Sequence, residues 1–226
     1  MKFNVCFPLL YYIGIIILHH ASCYNQLINT NQTKVKSSSR LPYGYGKAYK
    51  ANLSIDGYRS QDAFYCMHTD RKKSEAWLHI DLGAIFNLKS VKIWYRGDIF
   101  RKNRPSTFRL NGFSILASRM PEIDKKDTCY QDAGNVSLDT VIEINCTSVA
   151  QYVTIYNDKK NDPNGVMLEI CEVEIYGCPR FKYGEKCASC DMCRNDCDIT
   201  GQCDEYGCRE GYLPPFCKAC NDCWYG

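Results

Sequence analysis

Between Leu168 and Gly177 apolar and charged positions alternate, Leu168 and Ile170 first, Val173 and Ile175 after them, with glutamates in between. A repeat of two marks a half-buried strand, because successive side chains point to opposite faces. The phase slips by one residue at Cys171–Glu172, as at a β-bulge, and bulges re-aim side chains near sites. The same period runs through Trp77–Leu82, Val91–Tyr95, Phe113–Leu116, Val141–Ile144 and Tyr152–Tyr156, with Gly, Asn, Asp and Pro clusters separating the segments. No stretch carries its apolar residues at convincing helical spacing. Many short strands with regular turn signals predict an all-β sandwich or jelly roll over residues 41–177.

Both ends of the chain depart from that pattern. Lys2, the apolar run Phe7–Leu18 and the small residues before Tyr24 predict a secretory signal peptide over 1–23. The run is short for a bilayer span, which makes a retained signal anchor the lesser alternative. Residues 24–40 are rich in Asn, Ser, Thr and Lys and offer little to bury, so they are expected to form a linker. After Cys178 the alternation stops, and cysteine, turn residues and charge take over.

Of sixteen cysteines, Cys6 and Cys23 lie in the leader, and the remainder fit an oxidising compartment with disulfides. N-x-S/T sequons at Asn31, Asn52, Asn135 and Asn145 agree with secretion. The formal charge of +3 is too mild to argue for a nucleic-acid partner. Cys129 and Cys146 flank a short loop, and Cys66 could pair with Cys171 across most of the sandwich. Closing the short loop is worth about 3 kcal/mol and the long one nearer 5 on a chain-entropy estimate. Spacing alone leaves the connectivity open.

In the tail, Cys178, Cys187, Cys190 and Cys193 recur thirty residues later as Cys208, Cys217, Cys220 and Cys223. Such a segment has too little apolar surface for a core, so cross-links must replace it. Zinc at Cys187, Cys190 and Cys193 is the metal alternative, disfavoured by secretion and by the absence of nearby histidine. Past the leader only His68 and His79 remain, and no nucleophile–base motif of recognised spacing appears, so the chain is not expected to be an enzyme.

Taken in order, Ala51–Gly57, Cys66-Met67-His68-Thr69, Trp77 with Asp81-Leu82-Gly83, Arg96-Gly97-Asp98, Arg109-Leu110-Asn111-Gly112 and Leu168–Gly177 resemble an F-type lectin (fucolectin) domain. That fold belongs with the discoidin and coagulation-factor C-domain sandwiches. The resemblance implies a sugar pocket built from one histidine and two arginines on loops at one end of the barrel. His68, Arg96 and Asp98 match this pattern, with a gap one residue longer than usual between the histidine and the first arginine. The second basic residue is Arg109, which carries the matching local text, or Arg104, which lies nearer the usual distance; Arg101 is a further basic residue of the same loop. A guanidinium suits sugars because it presents several donors in a fixed fork.

The resemblance also implies a structural calcium, with Asp56 and Glu172 as carboxylate ligands and the carbonyls of Leu53, Tyr58 and Tyr65 as main-chain ligands. An all-oxygen set suits Ca2+. Tyr65 stands where the family has a serine, which removes one hydroxyl ligand. The residue-level alternative is that Asp56 only makes an Asx turn before Gly57.

Residues 178–226 resemble the EGF/laminin-type repeats of invertebrate multiple-EGF-like-domain proteins. That likeness implies the disulfides Cys178–Cys187, Cys190–Cys197, Cys193–Cys203 and Cys208–Cys217, beside Cys66–Cys171 and Cys129–Cys146 in the sandwich. Cys220 and Cys223 then open a repeat that is incomplete, so the chain is expected to be a piece of a longer multi-repeat protein. The expected function is a secreted or cell-surface, calcium-supported module that recognises fucose-like glycans on microbes or cells. The alternative is an adhesion or scavenger-receptor fragment, binding an integrin-type receptor protein through Arg96-Gly97-Asp98 or an anionic surface through Arg101, Lys102, Arg104 and Arg109.

Overall fold

The computed structural model describes residues 24–42, 49–100, 104–134, 138–213 and 217–219. The leader, the Asn135 sequon, Arg101, Lys102, Cys220 and Cys223 lie outside them. In chain order the strands are β1 (Asn25–Gln26), β2 (Lys34–Ser37), β3 (Met67–His68), β4 (Ala76–Tyr95), β5 (Ile99–Phe100), β6 (Arg104–Pro105), β7 (Ser114–Ser118), β8 (Thr128–Gln131), β9 (Val141–Asn157) and β10 (Glu169–Pro179). The short strands β11 (Lys182–Tyr183), β12 (Ala188–Ser189), β13 (Tyr212–Leu213) and β14 (Lys218–Ala219) follow in the tail.

The sandwich is made by two long strands that serve both layers. Along β4, Ala76, Leu78, Ile80 and Leu82 are buried, then the phase changes and Val91, Ile93 and Tyr95 are buried instead. The β4–β9 register shifts between Asp81 and Phe86 and again between Leu88 and Ser90, where the phase changes. Breaks of this kind let one strand turn a corner from one layer into the other. The first half of β4 therefore lies between β2 and the second half of β9, which continues to β7 and β8. The second half lies between β10 and the first half of β9, with β1 and β3 on the far side of β10. The facing side chains of both halves, among them Leu78, Ile80, Ile93, Ile115, Val153, Ile155, Val173 and Ile175, form one core.

The slip expected in the last strand coincides with a register shift between Ile170 and Glu172 of β10. Cys66–Cys171 ties the start of the domain to this strand, and Cys129–Cys146 ties β8 to β9. Residues 24–40, expected to be a linker, instead join the sheet. The Leu27 N–H donates to the Ile175 carbonyl at 2.8 Å with its side chain buried, and β2 pairs with Leu78–Asp81. An open strand edge supplies backbone partners, so a polar segment needs only Leu27 and Val35 as apolar anchors to dock there.

The cysteine-rich tail carries Cys178–Cys187, Cys190–Cys197, Cys193–Cys203 and Cys208–Cys217. It is seated on the sandwich by Asn87, fully buried in β4, whose Nδ2 donates to the Lys182 and Cys197 carbonyls at 2.8 Å each. Gly177 permits that approach, since a Cβ there would lie 2.1 Å from the Asn87 carbonyl oxygen. Arg180 Nε adds a 2.8 Å hydrogen bond to Asp196. Asn87→Ala should strand two carbonyls, costing about 1–3 kcal/mol, and release the tail. A lower melting temperature with faster proteolysis near residues 178–200 is the expected outcome, and unchanged cleavage would contradict the clamp.

Candidate functional site

Glu169 opens β10 with its side chain fully buried. Three cationic side chains from three separate segments close on it. His68 sits opposite Glu169 in the β3–β10 register. Arg96 follows the last residue of β4, and its backbone N–H donates to the Glu169 carbonyl at 3.1 Å. The two neighbours of β10 thus deliver a donor to the same residue. Arg109 ends the 3-10 turn Ser106–Arg109, which is held by Asn157, whose Nδ2 donates to the Arg109 and Leu110 carbonyls at 3.1 Å.

The contacts are direct. Glu169 Oε1 lies 2.9 Å from His68 Nε2 and 2.5 Å from Arg96 Nη1, and Oε2 accepts from Arg109 Nη1 at 2.6 Å. His68 Nδ1 lies 2.5 Å from the Thr69 carbonyl, so both ring nitrogens face oxygen atoms. Two further carboxylates complete the network. Asp162 accepts from Arg109 Nε at 3.0 Å, and Asp98 takes Arg96 side-on through Nε and Nη2. Ser106 Oγ donates to the Asp98 carbonyl at 3.1 Å, which ties the Asp98 backbone to the turn that carries Arg109.

Burial alone would raise the Glu169 carboxyl, but the His68 hydrogen bond and charge, with Arg109 and Arg96, hold it well below the usual carboxylate range. For Arg96, burial is likewise outweighed by Asp98 and Glu169, and its guanidinium stays charged more firmly than an ordinary arginine. Exposure divides the network into a floor and a rim. The side chains of Glu169, Arg109 and His68 are 0, 4 and 7% exposed, whereas Arg96 is 16% and Asp98 40% exposed. A ligand arriving from solvent meets the Arg96–Asp98 edge, a donor beside an acceptor.

His68, Arg96, Asp98 and Arg109 are therefore brought together, as the sequence led one to expect. Arg104 pairs through its backbone with Phe100 in the β5–β6 hairpin, and its side chain lies outside the described residues. Glu169 and Asp162 were not anticipated. Alternation assigned Glu169 to the solvent side of its strand, but at that point β10 is covered on both faces, and residues 168–175 are all buried.

At the expected calcium position the Gly57 N–H donates to Glu172 Oε2 at 3.1 Å, which brings the adjacent Asp56 near Glu172. Asp56 Oδ1 also accepts from the Tyr58 N–H at 2.9 Å, an Asx turn. Burial, with the Asp56 and Glu174 charges, pushes the Glu172 carboxyl up to about 8 against the opposing Gly57 hydrogen bond. The nearby Arg59 is engaged by Glu174. Leu53 and Tyr65 lie in the 3-10 turns Ala51–Ser54 and Ala63–Tyr65 on either side. The sequons at Asn31, Asn52 and Asn145 are exposed.

Residues 53–155 match the family profile of the NedA-like, galactose-binding domain of the F5/F8 type C group. That stretch is 103 residues long, so the likeness covers the middle of the chain. Fucolectin-3 of Anguilla japonica is 24% identical over 149 residues, covering 63% of this chain and 74% of that lectin. The crystal structure of a fucolectin from striped bass (Morone saxatilis) serum superposes with a TM-score of 0.53 at 24% identity, covering 70% of this chain. This chain spans half the length of that lectin. A fucose binding module from Streptococcus pneumoniae gives 0.50 at 21% identity, covering 68% of this chain and 96% of the module. Both structures share the fold of the galactose-binding-like domain, and these relatives are binding proteins rather than enzymes.

A carboxyl whose folded pKa is depressed contributes stability that is complete above its unfolded value, about 4.3, and drains away as pH falls below it. The wild-type domain should therefore lose melting temperature steeply between about pH 5 and 3. Glu169→Gln should start lower at pH 7 and lose less over the same interval. Parallel curves would show that the buried carboxylate is not the linked group.

Proposed function

We propose that the domain is an extracellular carbohydrate-binding module whose site is the Arg96–Asp98 rim over the Glu169 floor. One observation carries this reading: at one end of a galactose-binding-like sandwich, a fixed guanidinium edge adjoins an exposed carboxylate. A sugar hydroxyl both accepts and donates, so adjacent hydroxyls fit a donor and an acceptor held side by side. The relatives are named for fucose, which makes a fucose-like sugar the first ligand to test. Glycans on microbial or cell surfaces are the partners this chemistry fits. The disulfides support an oxidising, extracellular setting, and pairing in the order Cys190–Cys197 and Cys193–Cys203 supports the EGF-type reading of the tail.

The integrin alternative is disfavoured by geometry. Arg96 and Asp98 are chelated to each other and Arg96 also reaches Glu169, so the pair is not splayed toward a receptor.

Asp98→Ala removes the exposed half of the rim while leaving the Glu169 contacts in place. It should weaken glycan binding tenfold or more, about 1.5–3 kcal/mol for a charged hydrogen bond, with a small change in melting temperature. Undiminished binding on a glycan array would remove the rim from the site.

Calcium belongs to the same reading. Asp56 and Glu172 fit it chemically, since they are neighbouring carboxylates, one of them buried, and the nearby Arg59 is hydrogen-bonded to Glu174. Bound there, the ion would supply positive charge and join the start of the domain to its last strand. Calcium should raise the melting temperature by mass action, and Asp56→Asn should remove the increment. Identical melts in calcium and in EDTA would exclude the site.

A further inference from the structure

A cleft holding one histidine and two arginines is, taken alone, an anion site. Guanidinium forks match carboxylate, sulfate and phosphate oxygens two at a time. In this chain that place is taken from within. Glu169 receives His68, Arg96 and Arg109 with its two oxygens, Asp162 occupies Arg109 Nε, and Asp98 occupies a side of Arg96. Among the described residues, each guanidinium of the cluster is thus matched from within by carboxylates of the chain.

We propose that Glu169 makes this site selective for uncharged saccharides, by cancelling its positive charge internally so that sialylated, sulfated and uronic-acid glycans are excluded. The inference rests on the carbohydrate-binding reading and specifies its ligand class. An anionic group approaching Arg96 from solvent meets the Asp98 carboxylate on the same guanidinium, and Glu169 stands behind it. To pair with Arg96 it would have to sit against two carboxylates that already hold the same guanidinium and need no ordering on binding. An uncharged hydroxyl meets no like charge, and it can donate to Asp98 while accepting from Arg96. Glu169 therefore acts in two ways: it positions the three donors, and it sets the sign of the ligand they accept.

The test uses the full chain on an array that pairs each neutral saccharide with its sialylated, sulfated or uronic-acid counterpart, together with heparin retention. Wild type is expected to prefer the neutral member tenfold or more. Glu169→Gln keeps the shape and one acceptor oxygen but removes the carboxylate charge that both guanidiniums share. It should gain at least tenfold in binding sulfated saccharides, and that gain should vanish as salt rises. Asp98→Asn is the second variant, chosen because it leaves the buried charge in place; it alters the exposed rim and should shift preference in the same direction, by less.

A purely structural role for Glu169 would weaken all binding without creating affinity for anions. Wild type that binds acidic and neutral members equally, or folded variants that gain no anionic binding, would overturn the proposal. If wild type bound no neutral saccharide while Glu169→Gln acquired salt-sensitive binding to sulfated ones, the carbohydrate reading of the native site would fail and the charge assignment would stand.

Discussion

One charge buried without water organises this end of the molecule. An ionised carboxylate removed from solvent costs several kcal/mol unless cations and hydrogen bonds surround it. Glu169 meets that requirement with three donors drawn from β3, from the end of β4 and from the turn before β7. All of those segments are distant from Glu169 in sequence. The fold has to be nearly complete before the charge is satisfied, so the network rewards only the native arrangement of its loops.

The same logic explains why the site lies where it does. β10 is flanked by β3 on one side and β4 on the other, and its first residue therefore faces side chains from both. The register shift between Ile170 and Glu172 then turns the strand, so that Glu172 comes to face Gly57 in the loop after Leu53 while Val173 and Ile175 stay in the core. A single bulge thus separates two carboxylates with different roles. One is compensated by protein cations and held well below the usual range; the other is buried among like charges and raised. Two contrasting carboxylate environments follow from the same strand.

The tail contributes in a different way. Its side chains bury little, and disulfides supply the constraint that a core would otherwise provide. Its connection to the sandwich is specific: Asn87 bonds two tail carbonyls, and Gly177 lets the end of β10 lie against the Asn87 backbone. The cysteine-rich module is thereby held in a defined direction from the binding end.

Period-two alternation, turn residues and cysteine spacing were enough to read the sandwich, its last strand and the bulge in it, because each is a local consequence of side-chain direction. His68, Arg96, Asp98 and Arg109 could be named from short motifs in the right order. Other features could not be read that way. Residues 24–40 look like a linker because their composition buries little, yet an open sheet edge recruits them through backbone hydrogen bonds that composition does not register. That Arg109 reaches Glu169 depends on how the longer loop is folded. Glu169 itself alternates like any solvent-facing strand residue, and only packing reveals both faces covered and three cations converging on it. Sequence by itself determined which residues could carry the chemistry; the tertiary structure decided which of them meet, since β10 pairs with β3 and β4 across separations as long as Met67 to Ile170, which no local pattern encodes.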